Sequence, residues 1–263
     1  MNKTVKLILF SLIILILIGC TTKPTLKASP EVMQKIEDAF LGERWDEVIT
    51  LGKKQIEIEP RDVIVQFLLS MAYYMKGDYD SQENYREMAT EDEKSTDTVI
   101  KWCEQFTERF PDNYYVRLLI ASAYRSKGDV EKAMENYQKA VEINPALPDA
   151  YVGLATTNFG KEKIEDAIKN LKKAIEVNPG HVPAYYNLGF IYEFNGQNDE
   201  AIASYEKTIE LKPDFKEVYI NLGDLYLDMG EKEKAIKVYQ SLINMDPDGD
   251  LSRYAKDVIE GMK

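Results

Sequence analysis

Between residues 114 and 249 large apolar side chains recur at helical spacing in paired segments. Tyr185, Leu188 and Tyr192 mark one apolar face, and Ala201, Ile202, Tyr205 and Ile209 mark the next. Each segment, about a dozen residues long, predicts an amphipathic helix. Gly196 lies between them, where a residue free to take positive φ ends a helix. Pro213 follows the second helix and stops its continuation. The same order returns along the chain. Prolines stand at Pro111, Pro145, Pro179, Pro213 and Pro247, each 34 residues after the last. Ala133, Ala167, Ala201 and Ala235 keep that period, as do the small residues Ala121, Ala155, Gly189 and Gly223. Larger side chains form two more series, Tyr124, Asn158, Tyr192, Tyr226 and Tyr137, Leu171, Tyr205, Tyr239. Gly128, Gly196 and Gly230 recur too, but the second repeat has Glu162 in that slot and Gly160 two residues earlier. Small residues such as Gly189 and Ala201 let two helices approach closely, and the neighbouring aromatic fills the hole. One pair cannot bury its apolar faces alone, so successive pairs must stack.

The N-terminal half keeps the style without the period. Glu31 to Pro60 predicts a helix pair, with Trp45, Val48 and Ile49 on the second helix. Val63 to Lys76 predicts another first helix, whose Phe67, Leu68, Met71 and Tyr74 precede Gly77. Pro60 and Pro111 are 51 residues apart, one and a half periods. Either an odd helix from about Thr96 to Phe110 fills the surplus, or the helix after Gly77 runs unusually long; the odd helix is preferred.

Composition narrows the chemistry. Lys plus Arg number 33 against 45 Asp plus Glu, a net charge of −12. Phosphate contacts need clustered Lys and Arg, so no nucleic-acid partner is expected. The single histidine, His181, excludes His-pair mechanisms and sites with two or three histidine ligands, and it reads as a solvated turn residue. Two cysteines exclude a four-cysteine zinc site and a disulfide framework. Cys103 shares a stripe with Val99, Phe106 and Phe110 and reads as a buried, inert thiol. Asn244, Asp246, Asp248 and Gly249 mimic the start of a calcium loop, but Ala255 stands where a bidentate Glu is needed, so an acidic turn is expected. Glu91-Asp92-Glu93-Lys94 reads as a solvated run. No nucleophile-elbow, phosphate-loop or dinucleotide motif occurs. Neither cofactor nor small-molecule substrate is expected, and the chain reads as a non-enzyme.

The period of 34 and its position classes resemble the tetratricopeptide repeat (TPR) family over about residues 114–147, 148–181, 182–215 and 216–249. The resemblance implies an all-α fold, an α-α superhelix or solenoid of stacked antiparallel helix pairs. The segment 250–263, with Tyr254, Ala255, Val258 and Ile259, becomes a capping helix. Residues 31–113 become a degenerate TPR-like region. In that family the first helix of each pair lines a concave groove that holds a protein or peptide segment. Carried over by position, the groove comprises Tyr115, Leu118, Ser122 and Arg125, then Val152, Thr156 and Phe159. Tyr186, Asn187, Phe190, Glu193 and Phe194 follow, and then Ile220, Asn221, Asp224 and Leu227. The Asn187 and Asn221 amides can bond a peptide backbone. A clamp for a terminal carboxylate would need several cations, and only Arg125 is basic, so an amphipathic or basic segment suits the groove better.

The N-terminus carries an address. Lys3 and Lys6 precede the apolar run Leu7 to Ile18, which is short for a membrane-spanning helix of ~20 residues. Leu17-Ile18-Gly19-Cys20 resembles the bacterial lipobox. The resemblance implies a signal peptide over 1–19, a diacylated Cys20 and a lipidated tether over 20–30. An uncleaved anchor helix is the alternative. Residue 21 is not Asp, which within the resemblance favours the outer membrane facing the periplasm in a Gram-negative cell. Otherwise the outer face of the cytoplasmic membrane is implied. The combined expectation is a membrane-tethered scaffold for assembling cell-envelope complexes of the secretin or pilus type. Two other readings stay open: an adaptor for an envelope protease or cell-wall hydrolase, and an enzyme with its site in 31–111.

Overall fold

The computed structural model describes residues 29–89 and 93–262. The signal segment 1–19, Cys20, nearly all of the tether and Glu91-Asp92 lie outside the described residues. Among the described residues there are fourteen helices and no strand. No helix among them is long and apolar enough to cross a membrane.

The first five are α1 (Pro30–Leu41), α2 (Trp45–Ile58), α3 (Val63–Met75), α4 (Tyr79–Ala89) and α5 (Glu93–Arg109). The stretch 78–110 thus holds two helices, and the odd helix, not a lengthened one, fills the surplus half period. Four helix pairs follow: α6 (Tyr114–Lys127) with α7 (Val130–Ile143), α8 (Pro148–Gly160) with α9 (Ile164–Val177), α10 (Val182–Phe194) with α11 (Asn198–Leu211), and α12 (Lys216–Asp228) with α13 (Lys232–Met245). α14 (Asp250–Gly261) closes the chain. The helices divide into two compact units, and the division falls between Trp102 and Cys103, inside α5.

In the first unit α1 packs on α2, α2 on α3, and α3 on α4. The Ser29 side chain accepts the Val32 N–H, and Pro30 fills a first-turn position where no backbone donor is missed. Ile36, Phe40, Val48, Val65, Leu68 and Leu69 form the core, and the Phe40 and Trp45 rings meet edge to face at 5.4 Å. The Trp102 indole N–H donates to the buried Glu37 carboxylate at 3.3 Å.

In the second unit each helix packs on its partner, each pair on the next, and the first helices of successive pairs also touch: α6 with α8, α8 with α10, α10 with α12. α14 covers α13 and reaches α12. The alanine series Ala133, Ala167, Ala201 and Ala235 has no exposed surface, and neither do Leu171, Tyr205 and Tyr239. The reason lies in the small residues opposite. A Cβ on Gly189 would stand 2.6 Å from the Tyr205 ring, and one on Gly223 2.4 Å from the Tyr239 ring. Each ring therefore lies flat against a bare stretch of backbone, at interior packing density.

The turn inside each pair is left-handed at one residue. Gly128, Gly196 and Gly230 take φ of +83°, +72° and +78°, and Glu162 takes +59°. In all four the next residue's N–H bonds back to the helix, as Lys163 to Asn158 (3.0 Å) and Gln197 to Tyr192 (2.8 Å) do. Gly160 does not take over the turn; it is the last residue of α8. Stacking fixes the turn, and Glu162 bears the steric cost of a left-handed L-residue. Glu162→Gly should therefore stabilise the chain by about 1 kcal/mol, read from a urea melt; an unchanged or lowered midpoint would show that the turn carries no such strain.

Candidate functional site

Helix α10 has two faces because its sequence has two apolar stripes. Leu188, Gly189, Ile191 and Tyr192 turn into the stack and are buried. Tyr186, Phe190, Glu193 and Phe194, at positions i, i+4, i+7 and i+8, share the opposite face. Phe190 is 43% exposed and Phe194 69%. Phe159, from the neighbouring first helix α8, meets both edge to face, with ring centroids 5.6 and 5.0 Å away. Three phenyl rings thus form a contiguous patch across two helices, the kind of surface a monomer rarely leaves uncovered.

Polar groups adjoin the patch. The Tyr205 ring runs beneath Gly189, and its hydroxyl donates to Glu193 at 2.6 Å. The Asn221 amide, on α12, donates to the hydroxyls of Tyr186 (3.3 Å) and Tyr205 (3.4 Å). Tyr186 packs on Phe215 with centroids 4.8 Å apart. Further along α12, Asp224 accepts the hydroxyls of Tyr239 and Tyr254. Burial holds the Glu193 carboxyl above its ordinary pKa; the Tyr205 hydroxyl opposes this, and Asp228 and Asp224 add to it. Burial and the Glu193 charge likewise push the Tyr205 phenol up.

The groove residues expected from sequence separate into three groups. Phe159, Phe190, Phe194, Tyr186, Asn221 and Asp224 converge as described. Tyr115 and Leu118 do not reach a surface. Both are buried, because α6 buries eight of its 14 residues and large apolar side chains take up that interior. Arg125 is exposed on the same helix. The third group bonds its own helix: the Thr156 hydroxyl donates to the Gly153 carbonyl (3.1 Å), and the Asn187 amide to that of Pro183 (2.7 Å).

Other expectations need correction or gain a cause. His181 is no solvated turn residue. It sits at the N-cap of α10, nine-tenths buried, with Nε2 2.9 Å from an Asp149 carboxylate oxygen of α8. Cys103 is fully enclosed, and burial raises its thiol pKa far above the ordinary value. Asp246, of the calcium-like turn, is paired with Lys216 at 2.7 Å. Among the described residues no cluster of three or more His, Cys, Asp or Glu is arranged to hold a metal ion. Sequence reasoning missed Glu217 and Asp228. The signal was present: Glu217, Asn221, Asp224 and Asp228 fall at i, i+4, i+7 and i+11, one face of α12.

Residues 65–263 match the family model described as Tetratricopeptide repeat protein 21 C-terminal ARM domain. Among solved structures, that of MamA is similar at 27% identity over 68% of this chain and 95% of that chain, with a TM-score of 0.51. TTC0263, a thermophilic TPR protein in Thermus thermophilus, shares the fold at 24% identity over 74% and 97%, with a TM-score of 0.55. The APC/C hetero-tetramer Cut9-Hcn1 shares it at 15% identity over 86% and 47%, with a TM-score of 0.56. No curated protein matches the chain.

Proposed function

The chain belongs to the tetratricopeptide repeat family, through the Tetratricopeptide repeat protein 21 C-terminal ARM domain model, and from that premise we propose a non-catalytic protein-binding scaffold held to a membrane of the bacterial cell envelope by lipid on Cys20. The observation that carries the binding role is the Phe159–Phe190–Phe194 patch on the first helices, left open to solvent in a stack that encloses Tyr205 and Tyr239 completely. Burying an aromatic anchor against a partner is the usual source of affinity at a protein interface. The anchoring role rests on Leu17-Ile18-Gly19-Cys20. One acyl chain holds a protein only marginally, and two or more hold it stably. On this reading the scaffold assembles an envelope complex of the secretin or pilus kind.

Two measurements test it. Cys20→Ser should move the protein from the membrane fraction to the soluble fraction after expression in a bacterial host; retention in the membrane would favour an uncleaved anchor. Co-purification from native membranes, wild type against Phe190→Ala with Phe194→Ala, should lose at least one partner with helicity unchanged. Identical partner sets would remove the patch from the binding role.

A further inference from the structure

The charges beside the phenyl patch are one-sided. Helices α8, α10 and α12 together carry Asp149, Glu193, Glu217, Asp224 and Asp228 and a single cation, Lys216. Two of these charges are committed elsewhere: Lys216 to Asp246 at 2.7 Å, and Asp149 to His181. Four carboxylates remain. None of them forms an ion pair among the described residues, and one oxygen of Glu217 is buried without a hydrogen-bond partner. Tyrosine hydroxyls orient Glu193 and Asp224 but neutralise neither. The protein's own side chains thus supply an aromatic surface on α8 and α10 and an uncompensated negative stripe on α12 next to it.

Resting on the scaffold reading above, we propose that this face binds a cationic amphipathic segment of a partner protein: its apolar side seats on Phe159, Phe190 and Phe194, and its Lys or Arg side chains meet Glu193, Asp224 and Asp228. Charge complementarity selects this occupant. An acidic segment would bring like charge onto the partly buried Glu193 and Asp224 and the exposed Asp228, which costs affinity directly. A second copy of this chain, at net charge −12, carries the same penalty. A cation meeting Glu193 also favours its charged form, which burial first and then the neighbouring Asp228 and Asp224 disfavour in the free protein.

The test uses the full-length chain and two fluorescein-labelled helical peptides. Both carry leucine along one face; the opposite face is lysine in one and glutamate in the other. Anisotropy titrations at low salt should show the lysine peptide binding at least ~tenfold tighter. Raising the salt should narrow the gap, as screening demands. Phe190→Ala with Phe194→Ala should weaken the lysine peptide by ~tenfold or more. Glu193→Gln with Asp224→Asn and Asp228→Asn removes the three charges but leaves a carbonyl oxygen at each position, so the tyrosine hydroxyls on Glu193 and Asp224 keep an acceptor. This variant should bring the two peptides to within about threefold of each other. If the phenylalanine variant weakens both peptides equally and no charge preference exists, the cationic partner is refuted while the patch stands. If the lysine preference survives the three acid substitutions, the stripe is not its source and the proposal fails. If the phenylalanine variant changes nothing, the patch itself is not the site.

Discussion

Tyr205→Ala should lower the stability of the chain by about 3–5 kcal/mol, among the largest losses a single substitution can cause here. Tyr205 has no exposed surface, and its ring occupies the space that Gly189 leaves open between α10 and α11. Truncation removes the transfer free energy of the ring and leaves a cavity that two stiff helices, each pinned by the next pair, can close only in part. It also takes the hydroxyl from Glu193. Tyr205→Phe separates the two effects: it keeps the ring, removes the donor, and should lose about 1 kcal/mol. Urea unfolding followed by circular dichroism measures both. A loss below about 1 kcal/mol for the alanine variant would mean that the ring does not fill the interface between α10 and α11.

The complementary change acts from the other side. Gly189→Leu places a branched side chain where even a Cβ would lie 2.6 Å from two carbons of the Tyr205 ring. Leucine is the better helix former by nearly 1 kcal/mol, so on an open helix face the substitution would stabilise. Here overpacking, at about 1–3 kcal/mol or more, outweighs propensity, because a ring enclosed on all sides has nowhere to move. The two changes should also couple. In the Tyr205→Ala background the leucine has a void to enter, and Gly189→Leu should be close to neutral or restoring. The difference between backgrounds is the coupling energy of a contacting pair, expected above about 1 kcal/mol. Additive losses would show that the two positions do not share space.

The stack itself was readable from the chain because period and chemistry agree. Alanine every 34 residues, with an aromatic or leucine four positions later, describes the inside of a helix pair whatever its surroundings. Burial of Ala133, Ala167, Ala201 and Ala235 follows from that alone. The site was legible only in part. A repeat register treats every first helix alike, so it assigned Tyr115 and Leu118 the same surface role as Tyr186 and Phe190. Leu118 and Tyr186 hold the same position two periods apart, yet one is buried and the other adjoins the patch, because what packs over each helix is a tertiary matter, invisible in the register. His181 shows the same limit: its turn looked solvated until Asp149, 32 residues earlier, proved to lie beside it. The negative stripe of α12 was hidden for a different reason. Glu217 and Asp228 belong to no series across repeats, and they become a feature only when one helix is read along its own face.

The place of α5 bears on how the protein can be cut. Counting by repeats, the natural start of a minimal fragment is Tyr114. Yet Cys103 to Arg109 belongs to the second compact unit, the Tyr124 hydroxyl donates to Glu104, and Cys103 and Phe106 are buried. A fragment beginning at Tyr114 would amputate half of that arrangement and expose a raw apolar end to solvent. A fragment that keeps Cys103 to Arg109 retains that arrangement, so the shortest self-sufficient piece is longer than the repeats it was made to isolate.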